Sequence, residues 1–406
     1  MSVGAPPLDL RIWLLAFGTF AVGTDVFVVP GILPDLAQDF NVSLDTAGHA
    51  VSAYALTYAL GSPVLAAATA RMRPERLVFF ALLGFAAASV LCAASSTFGA
   101  FLAARVAAAI AAALYTPTAY ALATAAAHSD RKGASLSAVA LGLTSSFVVG
   151  VPIGVVIGKT LGWHSTFWFV AALSALAVAA LAWRRPTPAQ MEAEPQPGLL
   201  ARLAPLGHRR VLLILATGLL LSTASSTVYT YVAPLLAHYG YGTAAIAGLL
   251  SVFGFGALAG SQLGGRLADR FGPERPVAIC LGVAGLNQAL LPWMMAVLPA
   301  AGVSMFIWSF CAWATWAPQQ SRLIAAEPAS KSVVIALSSS TVYLASALGA
   351  TLGGLLLPVL PTTRLPFVAA LLYAMALLPM LAGSRAALAA RAKCKAATAR
   401  DLISEK

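Results

Sequence analysis

The chain has 406 residues, 60% of them hydrophobic and 10% charged, with a mean hydropathy of +0.84. Soluble domains carry roughly 25% charged residues, so this composition excludes a soluble protein of two or three domains and marks a polytopic membrane protein. The formal net charge of +11 is explained below by where the basic residues fall, which makes a nucleic-acid partner unnecessary.

A bilayer core of roughly 30 Å needs about 20 apolar residues per helix, and such runs recur from end to end, separated by charged or Pro/Gly punctuation. Six are predicted at about 12–36, 46–69, 76–96, 98–126, 134–158 and 163–183. The first, which follows Asp9 and Arg11, runs well past the length of a signal-peptide core and reads as a retained span. Residues 185–208 (RPTPAQMEAEPQPGLLARLAPLGH) form a polar, proline-rich interruption, read as a linker. Six more spans follow at about 210–237, 243–268, 276–297, 300–325, 332–357 and 365–384. The fold expected is an all-α polytopic membrane protein of twelve helices in two six-helix halves. They are residues 1–184 and 209–386, joined by the linker and followed by a basic tail, 387–406.

Lys and Arg should collect in alternate loops if these spans are right. On one side lie 22 of the 25 basic residues, among them Arg71, Arg73 and Arg76, Arg131 and Lys132, Arg266, Arg270 and Arg275, then Arg322 and Lys331. The other side has only Lys159 and Arg364, and Arg105 falls inside a span. By the positive-inside rule both termini are cytoplasmic, and the expected location is a bacterial inner membrane.

The halves also match each other at an offset of 199 to 200 residues. Pro34 falls on Pro234, Gly61-Ser62 on Gly260-Ser261, Pro74-Glu75-Arg76 on Pro273-Glu274-Arg275, and Gly150 and Gly154 on Gly349 and Gly353. Two parallel repeats of six spans imply a transporter with its site between the halves near mid-membrane. Asp25 is the only carboxylate deep inside a span, and ionisable groups there are functional candidates because burying charge in lipid is expensive. It falls on Ser225, so the second half lacks the acid.

Gly265-Arg266-Leu267-Ala268-Asp269-Arg270-Phe271-Gly272, placed in the loop after span 8, resembles the G-x-L-A-D-R-x-G-R-R loop motif of the major facilitator superfamily. Its first-half counterpart, residues 66–73, has lost the glycines and the aspartate. Arg105 resembles the family's span-4 arginine. Gly150-Val151-Pro152-Ile153-Gly154 is similar to the antiporter motif G-P-x-x-G with one residue inserted. Gly23-Thr24-Asp25-Val26-Phe27 through Leu33-Pro34-Asp35-Leu36-Ala37 looks like the span-1 signature of the twelve-span drug:proton antiporters, the branch of arabinose-type efflux permeases and chloramphenicol exporters. The resemblance implies a major facilitator fold, proton-driven exchange with Asp25 as the proton site, and a central position for spans 1, 4, 7 and 10.

Counted along their helices, Asp25 and Arg105 sit at similar depth, so the expectation is an ion pair whose breaking on protonation couples to the change of state. Burial disfavours the carboxylate's charge and an arginine favours it. A merely structural pair joining spans 1 and 4 is the competing reading. Phe27, Tyr54, Tyr58, Tyr115, Tyr120, Tyr229, Tyr231, Trp308, Trp313, Trp316 and Gln319 are the candidate substrate residues, since aromatic rings with a few polar groups suit amphipathic small molecules. Gly142, Ser146, Gly150, Gly154 and Gly158 recur every four residues, as do Gly256, Gly260 and Gly264. These stripes predict close backbone approach, span 5 on span 8, with Pro152 adding a bend. Gly150, Pro152, Gly154, Gly158, Gly265, Asp269 and Arg270 are the candidate conformational motif. Asp35 reads as a solvated helix-end acid, Asp39 as a loop residue, Asp45 as a cap of span 2, His49 as an interfacial residue, and Asn287 and Gln288 as interhelical hydrogen-bonding groups.

The four cysteines have neither CxxC nor metal-ligand spacing, so no disulfide framework and no metal site are expected. There is no phosphate loop and no HExxH motif. The expectation is therefore a monomeric non-enzyme with no cofactor beyond the proton gradient. It would work in the lipid bilayer on a small molecule and protons, exporting the molecule by alternating access. The alternatives are a proton-coupled uptake symporter and a non-transporting membrane receptor.

Overall fold

The computed structural model describes residues 9–127, 131–184 and 204–404, with the backbone alone for 332 and 385–404. Twelve helices in it are long and apolar enough to cross a membrane: α1 (Leu10–Asp39), α2 (Leu44–Ala68), α3 (Pro74–Ala93), α4 (Phe98–Ala126), α5 (Lys132–Leu161), α6 (Trp163–Trp183), α7 (Arg209–Tyr229), α8 (Thr243–Phe271), α9 (Glu274–Met294), α10 (Leu298–Ala326), α11 (Val333–Leu356) and α12 (Thr362–Ser384). Each lies within three residues of its predicted span at both ends except α7, which ends at Tyr229, eight residues short of the predicted 237. Most of the linker, and the side chains of the basic tail, lie outside the described residues. The membrane face bearing the α2–α3 and α8–α9 turns, with Arg71, Arg73 and Arg275, is called the basic face here.

Capping and glycine set the ends. Asp9 accepts from the Arg11 amide at 2.9 Å, and Thr97 accepts from the Ala100 amide at 3.2 Å, each satisfying a donor that a helix start leaves unpaired. Asp45 does not cap α2. Ser43 occupies the cap position, and Asp45 sits in the first turn, where its charge meets the positive end of the helix dipole. Gly272, at φ +78°, ends α8, a backbone angle that residues with a Cβ adopt only at a cost. The helix therefore carries the Gly265–Arg270 motif on its last turns, where a loop was expected. Asp269 and Arg270 are exposed there.

Proline explains the breaks. Pro152 has no amide to give to the Val148 carbonyl, and α5 widens into a π turn at Ser146–Gly150 immediately before it. Pro234 and Pro318 likewise leave the carbonyls of Thr230 and Ala314 without their helical donors. α7 is interrupted after Tyr229 and resumes as a short helix, Val232–His238, while α10 turns at Thr315. Beyond Ser384 the backbone stays helical to Ser404.

The glycine stripes have different partners from those expected. Along α5, a Cβ at Gly142 would strike the Ala16 carbonyl, at Gly150 Thr24, at Gly154 Val28 and at Gly158 Ile32, so this stripe packs on α1. The α8 stripe packs on α10, with Gly256 against Ser309 and the Phe306 carbonyl, and Gly260 and Gly264 against the backbone of Phe310 and Ala314. α5 does cross α8, but at Gly254, which lies on the backbone of Phe147 and Val148 inside the π turn. The sequence repeat reappears as packing. Gly349 and Gly353 of α11 rest on Thr223 and Thr227 of α7 as Gly150 and Gly154 rest on Thr24 and Val28, the same offset of 199 residues on both partners. α2 packs along α11, so α2–α11 and α5–α8 join the first six helices to the last six.

Candidate functional site

Asp25 lies about 22 Å along α1 from Leu10, and Arg105 about 10 Å along the oppositely directed α4 from Phe98. Arg105 Nη1 donates to Asp25 Oδ2 at 2.6 Å, with both side chains essentially inaccessible to solvent. The small residues around them allow this approach: Ala104, Ala108 and Ala109 on α4 are buried, and Thr24 beside Asp25 returns its hydroxyl to the Phe20 carbonyl at 2.8 Å. The guanidinium also stacks over the Tyr54 ring of α2, 4.4 Å from its centroid, with the Phe167 ring of α6 at 5.9 Å. A desolvated cation gains about 2 kcal/mol from such a face, so Arg105 keeps a favourable environment even when its carboxylate partner changes charge. One hydrogen bond joins the pair. Asp25 Oδ1, Arg105 Nε and the Tyr54 hydroxyl have no partner among the described residues. The carboxyl therefore has an open oxygen at which a proton could be held.

On the side of α1 facing the other six helices, six rings pack together. Phe27 stacks on Phe147 at 3.9 Å, Phe147 meets Tyr229, Phe253 and Trp313 at 5.6–6.1 Å, and Trp308 meets Phe253 at 5.2 Å and Tyr229 at 6.3 Å. The Tyr229 hydroxyl donates to the Phe27 carbonyl at 3.2 Å, tying α7 to α1. Phe27, Tyr229, Trp308 and Trp313 were candidates from the sequence, but Phe147 and Phe253, at the centre of the cluster, were not. The available signal was position, since both sit on the glycine-rich helices α5 and α8. Trp308 Nε1 donates to Ser225 Oγ at 3.0 Å. Ser225 falls on Asp25 at the 200-residue offset, but Trp308 is not the counterpart of Arg105, which falls on Met305, so α7 and α10 are joined by a neutral hydrogen bond one turn away from the position of the ion pair.

The remaining candidates have other surroundings. Tyr58 stacks on Tyr343 of α11 at 3.6 Å, a cross-half contact that Tyr120 flanks. Tyr115 donates to the Leu15 carbonyl at 2.8 Å and fills the space above Gly18, which makes it a fastener between α4 and α1. Tyr231 donates to the Ala350 carbonyl at 2.9 Å and covers Gly48 and Gly353, packing α7 against α2 and α11. Trp316 is 41% exposed and stands apart from the ring cluster. Gln319 is buried beside Arg322, which is itself buried in α10 and is not the loop cation that its place near a helix end suggested. His49 is exposed. Asn287 and Ser304 exchange hydrogen bonds at 3.0 and 3.2 Å between α9 and α10. Cys92, Cys280 and Cys311 are buried free thiols, and no metal-binding cluster occurs among the described residues.

Away from the basic face, Asp35 pairs with Lys159 of α5 at 2.7 Å, and Asp39 accepts from Trp163 Nε1 at 2.9 Å. Both acids belong to α1 and clamp it to α5 and α6, so Asp35 is not merely a solvated acid and Asp39 is not in a loop. Both members of the Asp35–Lys159 pair stay partly exposed. Lys159→Gln should therefore cost roughly 1 kcal/mol or less, seen as a melting-temperature fall of a few degrees at most with transport kept.

Twelve spans, helices bridged across a central cluster and one buried ion pair define a membrane transport protein. The chain belongs to the major facilitator superfamily, whose model matches residues 15–350. It is 31% identical to the "Uncharacterized MFS-type transporter YbcL" of Bacillus subtilis (strain 168), over 89% of this chain and 92% of that protein. It is 37% identical to the "Chloramphenicol resistance protein" of Streptomyces lividans, over 72% and 75%. The same fold is seen in the inward-facing, occupied crystal structure of a bacterial homologue of the human lysosomal transporter Spinster, at TM-score 0.71 and 15% identity over 94% and 98% of the two chains. The protein is thus a multi-pass inner-membrane transporter and not an enzyme.

Proposed function

We propose that the protein exports a small amphipathic organic molecule, drug-like or sugar-like, in exchange for protons by alternating access. Asp25 carries the proton and Arg105 is its partner. The observation that carries this reading is the single hydrogen bond between two fully buried charges, with the second carboxylate oxygen open. Protonating Asp25 removes its half of the pair. Arg105, still on the Tyr54 ring, then keeps only a hydrogen bond to a neutral carboxyl in place of the ion pair that ties α4 to the middle of α1. The residues 1–184 and 209–386 act as two bodies moving about the ring cluster, as one monomer with the basic face cytoplasmic. The Streptomyces lividans relative is named for chloramphenicol resistance, which makes chloramphenicol a first probe.

The experiment is flux in proteoliposomes of known orientation. With the basic face outward and the lumen acidic, chloramphenicol or another member of an antibiotic and sugar panel should accumulate in the lumen as protons leave. Movement of the organic molecule in the same direction as the proton would instead make the protein a symporter, and no pH-driven flux for any compound would remove the coupling role of Asp25.

A further inference from the structure

The second half holds a buried cation of its own. Arg322 on α10 is 3% exposed and forms no ion pair among the described residues. The charged groups that act on it are Glu274 and Arg210, of opposite sign, and neither forms an ion pair with it among the described residues. Its Nη1 donates to Gln319 Oε1 at 2.7 Å, and its Nη2 to the Met380 carbonyl at 3.5 Å. A guanidinium only donates, so the amide atom facing it must be the oxygen, and the NH2 group of Gln319 is turned the other way.

That NH2 group has no partner among the described residues, although Gln319 is 92% buried by its 8% exposure. It faces a cavity of about 20 Å³ enclosed by α7, α10 and α11. A Cβ on Gly218, in the wall of that cavity, would lie 3.9 Å from Gln319 Nε2. Ser338 in the same wall accepts from Gln320 Nε2 at 3.2 Å, which leaves its hydroxyl hydrogen available, whereas the Thr341 hydroxyl is spent on the Leu337 carbonyl. The cavity is thus largely apolar with one unmet donor, Gln319 Nε2, the Ser338 hydroxyl in its wall, the Arg322 guanidinium behind the amide and no carboxylate among its lining residues. A buried donor left unmet is costly, and an acceptor group would satisfy it.

The structure assigns Gln319, held by Arg322, as the polar subsite of the second half, taking a hydrogen-bond-accepting head group of the substrate, a carboxylate or a polarised carbonyl. The word substrate rests on the transport reading above. Trp313 stands six residues earlier on α10, about 9 Å along the helix. A ligand with an aromatic body and an acceptor head two or three carbons away could therefore span from the ring cluster to Gln319, and an organic cation could not bind the same way.

A matched series tests this on the purified full-length protein: 3-phenylpropanoate, 3-phenylpropanamide and 3-phenylpropylamine, with binding read by tryptophan fluorescence and by thermal shift. The acid and the amide should bind at least about tenfold tighter than the amine. Gln319→Leu should abolish that preference. Gln319→Glu, which keeps the hydrogen bond from Arg322 but replaces the free donor by an acceptor, should turn the preference toward the amine. Equal behaviour of the three compounds, including no binding by any, or an acceptor preference that survives in both variants, overturns the assignment. Transport is scored separately. A wild-type protein that prefers acceptors but moves nothing would keep the subsite and sink the transport reading, and pH-driven flux without acceptor preference would do the reverse.

Discussion

With Asp25 replaced by asparagine, the protein should reach the membrane folded and still catalyse exchange of its substrate, yet accumulate none in response to a pH gradient. Asparagine nearly matches aspartate in shape, and its Oδ1 can accept the Arg105 Nη1 hydrogen bond that Asp25 Oδ2 accepts at 2.6 Å. The guanidinium keeps the Tyr54 face at 4.4 Å. What asparagine cannot do is take up or release a proton. Breaking a buried pair by deleting one partner outright costs roughly 3–5 kcal/mol, because an uncompensated charge remains. Asp25→Leu and Arg105→Ala should therefore lose folded protein as well as transport. The comparison separates coupling from support. Uphill accumulation should fall to the level of empty liposomes in Asp25→Asn while substrate counterflow persists. If accumulation in that variant still tracks the pH gradient, Asp25 is a structural charge and the carrier lies elsewhere.

The neutral counterpart sharpens the argument. A hydrogen bond between Trp308 and Ser225 at 3.0 Å joins α7 to α10 without any titratable group, so the second half holds the corresponding pair of helices together without an ion pair between them. The charge on the α1–α4 side is an added cost that a proton-handling role accounts for.

How legible all this was depended on the kind of constraint. Span positions followed from the sequence because bilayer thickness fixes helix length and leaves few alternatives. The Asp25–Arg105 pair was legible for a similar reason: two charges at matched depth in apolar helices have little choice but each other. Partners of small-residue stripes were not. A stripe such as Gly142, Ser146, Gly150, Gly154 and Gly158 says that another backbone comes close, but any helix can be that neighbour, and it is α1 rather than α8. Phe147 and Phe253 were hidden among 18 phenylalanines, since nothing in a one-dimensional pattern tells a ring facing another helix from a ring facing lipid. Arg322 misled because a cation in the last turns of a helix looks like a loop residue, and its burial shows only once α10 is packed against its neighbours in the bundle.

The crossing of α5 and α8 yields the second large effect, a loss of transport in Gly254→Leu. Most glycine contacts in the bundle meet side-chain tips, which can swing aside. At Gly254 a Cβ would meet the backbone of Phe147 and Val148, and that backbone belongs to the π turn next to Pro152. Making room means separating two helices that also hold the Phe147 ring against Phe253 and Tyr229. Overpacking of this sort costs typically 1–3 kcal/mol, and its cost falls on the state in which the crossing is closed. A bundle that alternates between closed and open crossings would then be held open, and transport should drop roughly tenfold or more. Gly248 supplies the control on the same helix, because nothing lies within 4 Å of a Cβ there and the position opens onto an apolar groove of about 280 Å³ beside Pro152 and Ile153. Gly248→Leu should transport normally, and both variants should appear in the membrane in similar amounts. Equal transport by the two variants would mean that the crossing does not move during the cycle, or that α5 yields around the added side chain at no cost.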